Sequence, residues 1–230
     1  SYYMKVCKFG GTSLANAEQI RKVCDIVLSD PERRIMIVSA PGKRTREDIK
    51  VTDLLIALAN ARISGYDGES ELASVVRRFA DIAEELELGP EIVATIEQDL
   101  RFRIEADPAN SLKFMDSLKA AGEDNCARLV ADYLQSIGKK AQYFDPKTAG
   151  MVLSDEFGNA QVLDESYPRL AQLRDYSGIV VFPGFFGYTR SGEVATFSRG
   201  GSDITGSILA AAVEAKVYEN WTDVDSVYAV

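Results

Sequence analysis

The sequence predicts an α/β fold on a mainly parallel sheet with helices on its faces, and three observations predict it. A strand-like run over 4–9, a glycine turn, a helical apolar pattern (Ile20, Val23, Cys24, Val27, Leu28) and the strand Ile35-Met36-Ile37-Val38 follow one another. Within about forty residues that order is a βαβ unit, whose two strands run parallel. The apolar runs Ile179-Val180-Val181-Phe182 and 217–221 supply further buried strands, with a helical pattern between them. The chain has 230 residues, 46% hydrophobic and 27% charged, enough to bury a large core as one big domain or two lobes.

Asp30-Pro31 breaks the first helix, and Ser39 ends the second strand at the edge where such sheets collect ligands. Residues 41–50 are highly charged (Lys43, Arg44, Arg46, Glu47, Asp48, Lys50) and read as a mobile, solvated surface loop, with phosphate capture the minor alternative. Helical patterns follow at Leu54, Leu55, Leu58; at Leu72, Val75, Val76, Phe79, Ile82, Leu86; at Ile92, Ile96, Leu100; and from Leu118 into Ala120-Ala121-Gly122. A further helix carries Cys126, Leu129, Val130, Tyr133, Leu134 and Ile137 and stops at Gly138, so the central third reads as a helical insertion or lid. Strand signals return at 141–144, around Val152 and Leu153, and at 160–163. After Pro183-Gly184, a hairpin of 185–189 and 194–197 turns at Arg190-Ser191-Gly192-Glu193. Ser202 is placed to cap a helix with Ile204, Ile208, Leu209 and Ala212, and the strand 217–221 runs into Thr222-Asp223. There is no internal repeat or low-complexity segment.

Composition narrows the chemistry. The three cysteines, Cys7, Cys24 and Cys126, form no CxxC pair and read as reduced core residues. The absence of histidine removes Ser-His-Asp and Cys-His catalysis and His-ligated zinc. A net charge of −9 argues against nucleic acid as a partner. No run has the length of a membrane span and the first residues lack signal-peptide character, so the expected location is cytoplasmic, without membrane association.

Two glycine pairs carry the functional signal: Lys8-Phe9-Gly10-Gly11-Thr12-Ser13 and Ser198-Arg199-Gly200-Gly201-Ser202-Asp203, each between a strand and a helix. Paired glycines let N–H groups approach an oxyanion, and the helix that follows adds its positive end. Lys8 and Arg199 are therefore expected to face bound anions in one shared cleft. The first loop is not a Walker loop, because its lysine precedes the glycines, and a plain tight turn with a solvated lysine explains it about equally well. In the second, ordinary capping accounts for Ser202 and Asp203 but not for a cation at a helix N-terminus. Glu123, with Asp124, reads first as a helix first-turn acid, and Asp223 as a turn former or ligand. Trp221 and Tyr228 are placed to flank a nucleotide, although core packing is the commoner fate of such aromatics.

With Val38-Ser39-Ala40, Thr52-Asp53-Leu54-Leu55, Ala121-Gly122-Glu123, Phe182-Pro183-Gly184-Phe185 and Trp221-Thr222-Asp223-Val224 in order between and after the two loops, the chain resembles the aspartate kinases of the amino-acid kinase superfamily over essentially its whole length. The resemblance implies a three-layer αβα sandwich on an open, mainly parallel sheet. It implies ATP- and Mg²⁺-dependent phosphorylation of the side-chain carboxylate of L-aspartate, the first step toward lysine, threonine and methionine. It carries Lys8 over as the contact to the transferring phosphate, beside Gly10, Gly11 and Ser13, and Asp203 as the residue orienting Lys8. Thr52, Glu123, Arg199 and Ser202 would hold aspartate, with Ser39 bordering that pocket, and Thr222, Asp223 and Tyr228 would hold the nucleotide. No protein-held metal site is implied, and the full-length protein is expected to be a homo-oligomer, a dimer.

The chemistry agrees: a carboxylate nucleophile, with a pKa of about 4, is ionised at neutral pH and needs no imidazole base. Thr45 competes with Thr52 as the substrate threonine, because the 41–51 segment is long. The chain is expected to be one catalytic domain over 1–230, helical insertion at about 52–137, C-terminally incomplete and lacking the regulatory ACT domains. Such a piece would bind ATP weakly, show little activity and escape feedback inhibition. The rival readings are another superfamily kinase acting on a glutamate-type acid and a non-catalytic nucleotide- or amino-acid-binding module.

Overall fold

A computed structural model describes the backbone of residues 2–224 and 226–229 and the side chains of residues 3–224. The main sheet contains β1 (Tyr2–Phe9), β2 (Arg33–Val38), β3 (Ala141–Tyr143), β5 (Ile179–Pro183), β8 (Ala215–Asp223) and β9 (Ser226–Ala229), in the order β3-β5-β2-β1-β8-β9. Every neighbouring pair is parallel except β8 with β9. Between β1 and β2 runs α1 (Ala17–Leu28), started by Asn16, whose side chain accepts from the Gln19 N–H at 2.9 Å.

The alternation of side chains along each strand builds the three layers. Cys7 and Phe9 of β1 and Met36 and Val38 of β2 enter one core; Met4 and Val6, with Ile35 and Ile37, enter the other. Both faces are buried, as a parallel sheet requires. The first core is closed by α1 and by α2 (Val51–Ile63), α3 (Glu69–Glu85), α4 (Glu91–Ile104) and α5 (Ser111–Ser136). The second lies beneath α8 (Gly201–Ala212), α7 (Ser166–Leu170) and a small sheet of β4 (Val152–Leu153), β6 (Phe186–Thr189) and β7 (Val194–Thr196), with α6 (Pro146–Ala149) preceding β4. Cys7, Cys24 and Cys126 are free and buried, as expected.

Several sequence expectations are corrected. The two helical patterns around Gly122 are one 26-residue helix, α5. Gly122 is a contact glycine, because a Cβ there would lie 2.7 Å from the Ala40 Cβ at the end of β2. Glu123 and Asp124 are consequently mid-helix residues. The helical third is no lid, since α5 packs on β2, β3 and β5 and shares its core with α1–α4. Residues 160–163 form no strand; only Val162 bridges Leu153. Ser202 does not cap α8, which starts at Gly200 in the left-handed region (φ 77°) without a side-chain cap.

Loop 41–50 is irregular, as expected, but it is not merely solvated. Arg78 of α3, only 4% exposed, donates to the carbonyls of Gly42 (2.8 Å) and Ile49 (2.6 Å) and lies 3.5 Å from Asp48. Asp48 also takes hydrogen bonds from the Arg44 backbone (2.9 Å) and guanidinium (2.7 Å), and these partners, led by the Arg44 side chain, hold its carboxyl well below the usual range. A buried guanidinium with such partners fixes the loop at both ends.

Candidate active site

The C-terminal ends of β1, β2, β5 and β8 meet at one edge, and short hydrogen bonds knit their loops together. Gly10 N–H donates to the Trp221 carbonyl (3.1 Å), Gly42 N–H to Gly11 (2.8 Å) and Gly184 N–H to Val38 (3.0 Å). Loop 41–50 crosses the first glycine pair so closely that a Cβ on Gly42 would stand 2.7 Å from the Gly11 carbonyl carbon.

On one side of this turn, Lys8 Nζ pairs with Asp203 Oδ1 at 3.0 Å. Asp203 lies in the first turn of α8, where its charge suits the helix dipole, and its side chain is 48% exposed. Asn220, opposite Lys8 in the β1–β8 register, donates its Nδ2 to the same oxygen at 3.0 Å, so Asp203 is held from two strands. Ser13 is buried, its hydroxyl without a hydrogen-bond partner among the described residues. The Thr222 carbonyl lies 3.1 Å from where a Gly10 Cβ would stand and accepts from the Thr12 hydroxyl at 3.5 Å. Asp223 ends β8, opposite Ser226. Tyr228 is paired with Asn220 through the backbone, and its side chain lies outside the described residues. Trp221 stacks on Phe9, ring centroids 6.0 Å apart, so it packs against the core.

On the other side opens a cavity of about 330 Å³ lined by Gly11, Thr12, Ser39, Ala40, Pro41, Gly42, Lys43, Lys50, Thr52 and Glu123. Ser39 donates to the Phe9 carbonyl at 3.0 Å, which ties the ends of β1 and β2. Thr52 sits in the first turn of α2; Thr45 does not line the cavity. Glu123 is 6% exposed and its Oε1 has no hydrogen-bond partner among the described residues. Burial pushes its carboxyl up to about 8, and the backbone groups of Glu123 and Ala40 offset only part of that. A buried acid that lines a cavity with one oxygen left without a hydrogen bond is what a ligand cation, such as an ammonium, would satisfy.

The structure does not bring Arg199 into this cavity. It is exposed on the loop before α8, four residues from Asp203, and makes no ion pair among the described residues. Ser202 is buried beside Gly184, where a Cβ would come 2.6 Å from the serine Oγ. A larger cavity, about 580 Å³, lies away from this edge between α4, α5 and the β6–β7 hairpin. Its buried charges satisfy one another, Arg103 pairing with Asp99 (2.9 Å) and Asp124 (2.7 Å), so it has the character of structural bracing.

Asn220 was missed by sequence reasoning, because only the register of two strands far apart in the chain sets it opposite Lys8. Arg78 was missed for a similar reason: it reads as one more charged position of a surface helix.

A model of the amino acid kinase family matches residues 4–229. The chain belongs to the amino acid kinase family. Among curated proteins it is 52% identical over 227 residues to aspartokinase 3 of Bacillus subtilis (strain 168), covering 99% of this chain and 50% of that one. Among solved structures it superposes on the aspartate kinase of Clostridium acetobutylicum with a TM-score of 0.80 at 36% identity, over 96% of this chain and 47% of that chain. The E. coli aspartokinase III structure in complex with aspartate and ADP gives 0.78 at 31%, over 96% and 49%. The chain thus spans about half the length of the curated relatives it matches. The expected αβα sandwich is the fold these kinases share. No helix among the described residues is long and apolar enough to cross a membrane.

Proposed function

We propose that this chain is the catalytic portion of an aspartate kinase, which moves the terminal phosphoryl group of ATP onto the side-chain carboxylate of L-aspartate. The observation that carries the proposal is the shared Gly10-Gly11 turn. On one side stands the Lys8–Asp203 pair, on the other the cavity lined by Glu123 with its Oε1 free of hydrogen bonds among the described residues. In this reading Glu123 takes the substrate ammonium and Thr52 and Ser39 border the amino acid, while Arg199 and Ser202, which the resemblance also assigns to aspartate, stand on the α8 side outside the cavity. Thr222, Asp223 and Tyr228 take the nucleotide, with Gly10, Gly11 and Ser13 beside the phosphates.

One oxygen of the substrate carboxylate, already ionised, attacks the terminal phosphorus, and ADP leaves with the electrons of the broken P–O bond. Lys8 neutralises charge on the transferring oxygens, and Asp203, fixed by Asn220, holds the ammonium in line. Mg²⁺ would arrive with the nucleotide phosphates and supply further neutralisation; Asp203 is the carboxylate beside Lys8, which fits a metal held by one or two carboxylates plus substrate phosphates. We further propose a cytoplasmic enzyme of amino-acid biosynthesis, acting as a dimer within a longer protein that carries regulatory domains.

A coupled ADP-release assay with aspartate, glutamate and N-acetylglutamate tests the reading. Aspartate is expected to be turned over and N-acetylglutamate not, because an acetylated amine offers Glu123 no cation. Turnover of N-acetylglutamate with aspartate inert would contradict it.

A further inference from the structure

We infer that Arg78 of α3 is a positioning residue for phosphoryl transfer: acting through loop 41–50, it holds the Gly10-Gly11 turn still from behind. This rests on the aspartate kinase reading and adds to it a residue that touches neither substrate. Donors that stabilise a transferring phosphoryl group must be fixed before the charge shifts, because rearranging them during the step costs rate. Two successive glycines are the backbone least able to fix themselves. The turn is braced from outside on both flanks. On the β8 flank, Gly10 N–H donates to the Trp221 carbonyl at 3.1 Å, and that carbonyl belongs to a strand. On the other flank, the Gly11 carbonyl accepts from Gly42 N–H at 2.8 Å, but Gly42 stands in an irregular loop that also carries the cations Lys43, Arg44, Arg46 and Lys50. That brace is only as steady as the loop.

Arg78 supplies the steadiness. Its Nη2 donates to the Gly42 carbonyl at 2.8 Å and its Nη1 to the Ile49 carbonyl at 2.6 Å, and the guanidinium lies 3.5 Å from Asp48. One planar fork thus ties both ends of the loop to α3, which the single point charge of a lysine could not do. The path from α3 to the phosphate turn is short: guanidinium, Gly42, Gly11. Arg44, bound to Asp48 at 2.7 Å, adds an exposed second attachment 3.6 Å from Asp81 of α3. Helix packing does not explain an arginine here. Position 78 falls in the buried stripe of α3 with Leu72, Val75, Phe79 and Ile82, where an apolar side chain would pack without the cost of desolvating a charge. Substrate binding does not explain it either, since Arg78 is buried and does not line the cavity beside the turn. What the charge does at that position is hold the loop.

The test compares the wild type with Arg78→Met, which removes the charge, and Arg78→Lys, which keeps the charge but reaches only one of the two carbonyls. Each protein gives two readouts: kinetics of ADP formation with aspartate, and amide hydrogen exchange read by mass spectrometry without substrate. Arg78→Met is expected to lower kcat about a hundredfold, the scale of an ångström of misplacement, with KM for aspartate within about threefold because Glu123 is carried by α5 and not by the loop. Arg78→Lys should recover only part of kcat, remaining about tenfold below the wild type. Exchange should quicken about tenfold or more in segments 10–16 and 41–51, where Gly42, Arg44, Asp48 and Val51 have hydrogen-bonded amides, while α3, β1 and β2 stay protected. Should Arg78→Met not fold, Arg78→Lys carries the same comparison. Unchanged exchange in the loop and turn, unchanged kcat, or protection lost evenly through the core overturns the inference and leaves the kinase reading standing. A wild type that does not turn over aspartate overturns both.

Discussion

Replacing Glu123 by glutamine should make the unliganded protein more stable while crippling substrate binding, and pH should expose the reason. Burial raises the Glu123 carboxyl from 4.5 to about 8. The folded state therefore keeps a proton that the unfolded chain releases above its own, lower pKa. The sign follows: the stability associated with the protonated form is fully present below about pH 4.5 and is lost as pH rises toward about 8. At about 1.4 kcal/mol per pH unit, the loss is about 3 kcal/mol at pH 7 and about 4–5 kcal/mol once pH passes 8. Glu123→Gln has no such titration. In urea unfolding at several pH values, the stability difference between variant and wild type should widen by about 1.4 kcal/mol per pH unit across about pH 5 to 8 and then level off. Comparing the two proteins removes the contribution of the other raised acids, Asp116, Asp124 and Asp132, which both contain. Parallel pH curves would refute the reasoning. Because a substrate ammonium needs the carboxylate form, KM for aspartate in the wild type should also fall as pH rises toward 8.

Three further outcomes are expected. Lys8→Ala should lower kcat about a hundredfold or more, the scale of losing one oxyanion stabiliser, and near-normal turnover would remove Lys8 from the mechanism. Arg103→Leu should cost about 3 kcal/mol in urea unfolding, since it takes the nearest cation from Asp99 and Asp124 and leaves them to Arg128 at 3.7 and 3.2 Å; a change under about 1 kcal/mol would show that Arg128 suffices. Gly42→Ala should reduce kcat/KM about a hundredfold, because its Cβ meets the Gly11 backbone at 2.7–2.9 Å and must displace the glycine turn; unaltered kinetics would mean the turn need not be held in place.

The layers of this fold were legible because they rest on local patterns. The period-two alternation of Cys7 and Phe9 against Met4 and Val6 identifies a strand buried on both faces, and the spacing of Ile20, Val23 and Val27 identifies a helix. What misled was chemistry whose reason lies elsewhere in the chain. Gly122 looks like a helix stop but is there to let Ala40 approach, which hid the continuity of α5 and the mid-helix position of Glu123. Ser202 looks like a cap, yet the left-handed Gly200 begins the helix. The charges of loop 41–50 look solvated because Arg78, the residue that pins them, sits on another element. At the site, the glycine turn and Lys8 could be read from the sequence, whereas Asn220 needed the strand register and the position of Arg199 outside the cavity needed the loop geometry.

The central claim, that one glycine turn joins an amino-acid cavity to a phosphate site, is tested most directly by trapping the product. The protein is incubated with ATP, Mg²⁺ and aspartate in the presence of hydroxylamine, which converts an acyl phosphate into a stable hydroxamate. The account predicts aspartyl hydroxamate in step with ADP from the wild type, and about a hundredfold less or lower from Glu123→Ala and Lys8→Ala. ADP released without hydroxamate, or hydroxamate formed equally by all three proteins, would contradict it.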